Sequence, residues 1–125
     1  MEKLVITKDY QGIVDDGYRY KLNGNLISAT SIDIQLDKGL YVQGFIEAGR
    51  SIKADGFIKA GGSIEAGEGI LAQLAITCNG TLKAKLGIYS GVCAWKEPTE
   101  AEQTITCGKL DGTVKYGTLK LIESE

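Results

Sequence analysis

The chain has 125 residues, 14 basic against 16 acidic side chains for a formal net charge of −2, and 43% hydrophobic residues. That size suits one domain. The interspersed charges offer no basic tract to nucleic-acid phosphates, and no apolar run reaches the ~18 residues a membrane-spanning helix needs.

In chain order, Met1 to Thr7 holds only Leu4, Val5 and Ile6 as adjacent aliphatic residues, too few for a signal-peptide core, so a cytoplasmic protein is expected. Residues 1–27 do not follow the repeat that dominates the middle of the chain. Tyr18, Tyr20 and Leu22 alternate with Arg19, Lys21 and Asn23, the pattern of a half-buried strand, and Asp15-Asp16-Gly17 before them reads as a turn. A short hairpin capping the first coil is the expectation. Adjacent aspartates can serve a metal, but turn preference before a glycine explains them more simply.

From residue 28 to 93 the pattern is a hexad. Aliphatic residues recur six apart at Ile46, Ile52, Ile58, Ile64, Ile70, Ile76, Leu82 and Ile88. Two positions after each stands Ala48, Ala54, Ala60, Ala66, Ala72, Cys78, Ala84 or Ser90, all small. Ile34 and Leu40 extend the register backwards, with the larger Leu36 and Val42 in the companion slot. The next slot along holds Gly49, Asp55, Gly61, Gly67, Gln73, Asn79, Lys85 and Gly91, mostly residues that tolerate left-handed or otherwise bent backbone, and it marks a corner.

A helix would scatter such a period around its circumference and would suffer from the 17 glycines. A flat meander would send successive isoleucines to alternate faces. A chain bending the same way at every corner keeps them all inside. Three sides close a triangle of about 18 residues, with coils ~4.8 Å apart in parallel register. The small residue sits where the triangle narrows and a larger one would overpack. The fold class expected is all-β: a single-stranded triangular β-helix, or β-solenoid, of about three to four coils with a capping N-terminal hairpin. Right-handed winding follows the crossover preference of parallel strands.

Beyond the repeat, Ala94 to Gln103 carries Trp95, Pro98, Glu97, Glu100 and Glu102 and reads as an extruded acidic loop. Ile105 and Cys107 resume the aliphatic-x-small spacing. Residues 104–125 then form a closing coil or hairpin, because solenoids need atypical terminal elements to shield open edges.

The hexads, such as Ile58-Lys59-Ala60, resemble the aliphatic-x-small pattern of bactofilins, bacterial self-assembling right-handed β-helix proteins, over residues 34–93. The resemblance implies a fold and a scaffolding role rather than chemistry. Left-handed hexapeptide acyltransferases are similar in repeat length, but they place the small residue before the aliphatic one and rely on a histidine. This chain has no histidine. Histidine-dependent nucleophile arrangements and histidine zinc sites are therefore excluded, and no catalytic residue, metal or cofactor is assigned. The three cysteines, Cys78, Cys93 and Cys107, form no CxxC motif and read as reduced thiols, two of them packed inside.

Stacking positions 18 apart gives three outer faces. The first presents Phe45, Glu47, Ser63, Glu65, Thr81 and Lys83. The second presents Ser51, Lys53, Leu71 and Tyr89 beside an outward strip of Gly69 and Gly87. The third presents Tyr41, Phe57, Lys59, Ala75, Thr77, Cys93 and, if the register persists, Trp95. Tyr41, Phe57, Lys59, Cys93, Trp95, Leu71 and Tyr89 are the candidate protein-interface residues, with Glu97, Glu100 and Glu102 as a candidate acidic patch. The leading expectation is a non-catalytic scaffold acting through protein contacts, including contacts with further copies of itself. The alternative is a small inhibitor or adaptor, for example a phage-encoded protein that blocks a host defence complex such as a CRISPR effector. A carbohydrate-binding β-helix using Tyr41, Tyr89 and Trp95 ranks last.

Overall fold

An aliphatic-x-small unit between two bends can make only a short strand, and short strands are what form. A computed structural model describes residues 3–36, 38–93 and 97–122. In chain order the strands are β1 (Leu4–Ile6), β2 (Ile13–Asp15), β3 (Arg19–Leu22), β4 (Leu26–Ser28), β5 (Ile32–Ile34), β6 (Gly39–Val42), β7 (Ile46–Ala48) and β8 (Ile52–Ala54). Next come β9 (Ile58–Ala60), β10 (Ile64–Ala66), β11 (Ile70–Ala72), β12 (Ile76–Cys78) and the long β13 (Thr81–Ser90). A 3-10 turn (Ala101–Gln103) precedes β14 (Thr104–Cys107), β15 (Lys109–Tyr116) and β16 (Thr118–Leu121).

These strands stack in parallel into three faces. The first face is β4, β7, β10 and the opening halves of β13 and β15. The second is β1, β5, β8, β11 and the closing halves of β13 and β15. The third is β3, β6, β9, β12, β14 and β16, with β2 antiparallel against β3. The chain is thus a β-solenoid of about 6 turns, more than the three to four coils read from the hexads. The difference lies at both ends. Strands β1, β3 and β4 are already parallel rungs, so within residues 1–27 only the β2–β3 hairpin departs from the winding. The tail continues the coil through β14, β15 and β16.

Interior columns follow the register. Leu26, Ile46, Ile64 and Leu82 stack on the first face, and Ile32, Ile52, Ile70 and Ile88 on the second. Tyr20, Leu40, Ile58, Ile76 and Ile105 stack on the third, and all of these side chains are buried. Each fully buried aliphatic contributes on the order of 1.5–3 kcal/mol.

One assignment shifts. Ile32, not Ile34, faces Ile52, and Ile34 faces Ala54 in the small slot. Tyr20 faces Leu40, a step of 20 residues, whereas Leu40 faces Ile58, a step of 18. Two extra residues therefore lie between β5 and β6, where Leu36 turns inward and is 4% exposed.

The corners also differ from the left-handed reading. Of the hexad corner residues only Gly91 has a positive φ, 83°. Elsewhere small size serves close stacking. Along the corner between the third and first faces, Gly44, Gly62, Gly80 and Gly108 donate their N–H groups to the carbonyls of Gly24, Gly44, Gly62 and Gly80 at 2.8, 2.8, 3.0 and 3.0 Å. A Cβ on Gly44 would fall 2.7 Å from the Gly24 carbonyl oxygen. The corner column is one continuous backbone hydrogen-bond ladder that a side chain would wedge apart.

Candidate functional site

The third face, expected to offer aromatic anchors, is largely occupied by the chain's own side chains. Lys21, Tyr41, Lys59, Thr77 and Thr106 form one outward column. The Arg19 guanidinium lies 4.6 Å from the Tyr41 ring centre and the Lys59 ammonium 5.5 Å from it, so Tyr41 is held between two cations. Phe57 fills the space over Gly39 on the neighbouring strand. Both aromatic residues are half-buried.

Asp15 and Asp16 fix the hairpin to this face. Asp15 Oδ1 accepts from the Gly17 N–H at 2.9 Å and from Lys38 Nζ at 2.7 Å. Asp16 accepts from the Arg19 N–H at 3.1 Å and from Arg19 Nε at 3.0 Å. The Lys38 ammonium and the Gly17 N–H hold the Asp15 carboxyl below the usual carboxylate range. At Asp16 partial burial pushes upward, and the Arg19 contacts outweigh it and lower the value. Their role is that of turn residues.

Cys93 does not join the third face. The strand beside β12 is β14, so Thr77 faces Thr106, and the chain makes an excursion over 91–103 before it returns. The 18-residue extrapolation fails because Ile76 faces Ile105, a step of 29. Trp95 lies outside the described residues. In the excursion Glu97 and Glu100 are exposed. Glu102 instead closes a capping box on the 3-10 turn: its Oε1 accepts from the Thr99 N–H at 3.0 Å, and its own N–H donates to Thr99 Oγ1 at 3.3 Å.

The second face changes character along its length. Its outward column runs Asp33, Lys53, Leu71, Tyr89, Tyr116. At the charged end, Asp33 Oδ2 meets Lys3 Nζ and Gln35 Nε2, each at 3.0 Å. At the other end the column is apolar, with Tyr89 37% and Tyr116 49% exposed. Leu86 and Val92, at the corners on either side of Tyr89 along the chain, are 58% and 40% exposed. Between Ser51, Lys53, Gly69, Leu71 and Tyr89 lies a shallow groove of about 260 Å³. Gly87 is not the open strip the sequence implied: a Cβ there would meet Lys115 Cγ at 2.5 Å and the Tyr89 ring at 3.0 Å.

No protein-family model, curated protein or solved structure matches this chain. Among the described residues no helix is long and apolar enough to cross a membrane, and no cluster of three or more His, Cys, Asp and Glu side chains is placed to hold a metal ion.

Leu86, Val92 and Tyr116 escaped the sequence reading. Leu86 carried a usable signal, since Arg50 and Glu68 hold the equivalent corner in earlier coils and a bulky aliphatic there has no interior to enter. Tyr116 carried none, because a register irregularity between Ile88 and Tyr89 precedes its pairing with Tyr89.

Proposed function

We propose that this chain is a non-catalytic scaffold that works through protein–protein contacts and self-associates through the second face. The observation that carries the reading is the in-register column of Leu71, Tyr89 and Tyr116, bordered by exposed Leu86 and Val92. Apolar groups grouped on a rigid sheet are a costly surface for a soluble protein unless something covers them. Tyrosine, rigid and amphipathic, is the residue type that anchors such contacts. The resemblance of the hexads to bactofilins agrees with a scaffolding role, while the site of contact is drawn from this chain's own surface.

Light scattering coupled to size exclusion at tens of micromolar tests the proposal. The wild type elutes with a mass above the monomer, Tyr89→Glu returns it to monomer, and Lys83→Glu on the first face leaves it assembled. A wild type that is monomeric throughout overturns self-association. If that monomer captures a different protein, and Tyr89→Glu abolishes the capture, the inhibitor or adaptor reading takes its place.

A further inference from the structure

We propose that Cys78 and Cys107 form an oxidisable pair, a site at which a two-electron thiol oxidant installs a cross-coil disulfide inside the solenoid. Ile76 faces Ile105 and Thr77 faces Thr106 on adjacent parallel strands, and one step further along both strands stand Cys78 and Cys107. The strands stay together past this point, because the Gly108 N–H donates to the Gly80 carbonyl at 3.0 Å. Alternation turns both cysteines inward with Ile76 and Ile105, and both are 0% exposed. Parallel neighbours stand about 4.8 Å apart, inside the span of about 4.4–6.8 Å between Cα atoms that a disulfide bridges.

Packing alone does not call for sulfur in this slot. Ala60 fills it in the coil next to Cys78, and alanine fills its counterparts at Ala48, Ala54, Ala66, Ala72 and Ala84. Two cysteines occur in direct succession at the point where the chain leaves the regular winding for the 91–103 excursion. A bond between them would close a loop containing 28 residues and tie β14 to β12 across that excursion. Cys93, the remaining cysteine, lies outside the ladder.

The chemistry balances with a diazene oxidant such as diamide. As the last coils open transiently, the Cys107 thiolate adds to the N=N bond and forms an S–N adduct. The Cys78 sulfur then attacks the Cys107 sulfur, the S–N bond breaks and the S–S bond forms. The oxidant leaves as its hydrazine with two electrons and two protons, and the protein loses two hydrogens. Burial pushes the Cys78 thiol up to about 12 and also raises Cys107, so the reaction is slow in the closed solenoid and follows the opening rate.

The test uses the full chain carrying Cys93→Ser, with the wild type in parallel, treated with diamide and digested without reduction. The expected result is a single intrachain Cys78–Cys107 peptide, no thiol titratable after unfolding, and a melting temperature about 10 °C above the reduced protein. Cys107→Ala in the same background, itself folded by circular dichroism, shows neither the cross-link nor the shift. Recovery of both thiols after unfolding, bridges formed only between chains, or a bridge that leaves the melting temperature unchanged or lower overturns the proposal.

Discussion

Phe57 lies against Gly39 of the adjacent coil, so closely that a Cβ on Gly39 would fall 2.0 Å from the ring carbons. Together with Arg19 and Lys59 over Tyr41, this contact turns the most aromatic face of the molecule into one that mostly serves its own packing. It moves the candidate contact surface to the second face, where Tyr89 and Tyr116 stay exposed.

Gly39→Leu therefore displaces the Phe57 ring and lowers stability by about 1–3 kcal/mol through overpacking. Urea denaturation monitored by circular dichroism reads the change. An unchanged midpoint would show that the ring is not fixed over Gly39.

Ile64 stands between Ile46 and Leu82 with no exposed surface. Ile64→Asp buries an unpaired charge in the column and costs upward of about 4 kcal/mol. Ala66→Leu overpacks the narrowing corner for about 1–3 kcal/mol. Lys59→Glu, outside the column, costs about 1 kcal/mol or less, mainly by removing one cation from Tyr41. Equal tolerance at the three positions in chemical denaturation contradicts the assignment of inside and outside.

Burial by itself would raise the Asp33 carboxyl, but the Gln35 amide and the Lys3 ammonium outweigh it and hold the value below the ordinary carboxylate range. A carboxyl whose folded value is depressed stabilises the fold above its unfolded value of about 3.9 and loses that contribution as pH falls through the folded value. Asp33→Asn should accordingly flatten the loss of stability between about pH 5 and pH 2, measured as urea midpoints. An acid limb identical to the wild type would mean that these contacts do not form in solution.

At neutral pH, a thiol reagent added to the folded protein labels Cys93 first, because it is half-buried whereas Cys78 and Cys107 are enclosed. Mass spectrometry of the labelled peptides resolves the order. Early labelling of Cys78 would contradict its place between coils.

The middle of the fold was legible because eight hexads repeat at one length, and an unbroken period leaves a single register. The ends were not, for a definite reason. The two-residue insertion between β5 and β6 lets Ile34 mimic a column residue and hides the earlier rung Leu26-Ile27-Ser28, which has the same aliphatic-x-small form. At the other end Ile105 faces Leu119, only 14 residues on, a coil too short for a six-residue template to find. The candidate site suffered from the same cause. Leu71 and Tyr89 lie within the regular coils and were placed on the second face as expected, whereas Cys93 was extrapolated across an excursion the period does not describe. Glu102 looked like free acidic surface, though Thr99 three residues before it is the other half of a capping box.

The most direct measurement of the contact surface is a dilution series of the isotope-labelled chain followed by amide chemical shifts. Concentration-dependent shifts gathered on Leu71, Leu86, Tyr89, Val92 and Tyr116, with Glu47 and Glu65 on the first face unmoved, are the predicted result. Shifts that stay constant over the whole series, or that gather on the first face, would contradict a scaffold that self-associates through its second face.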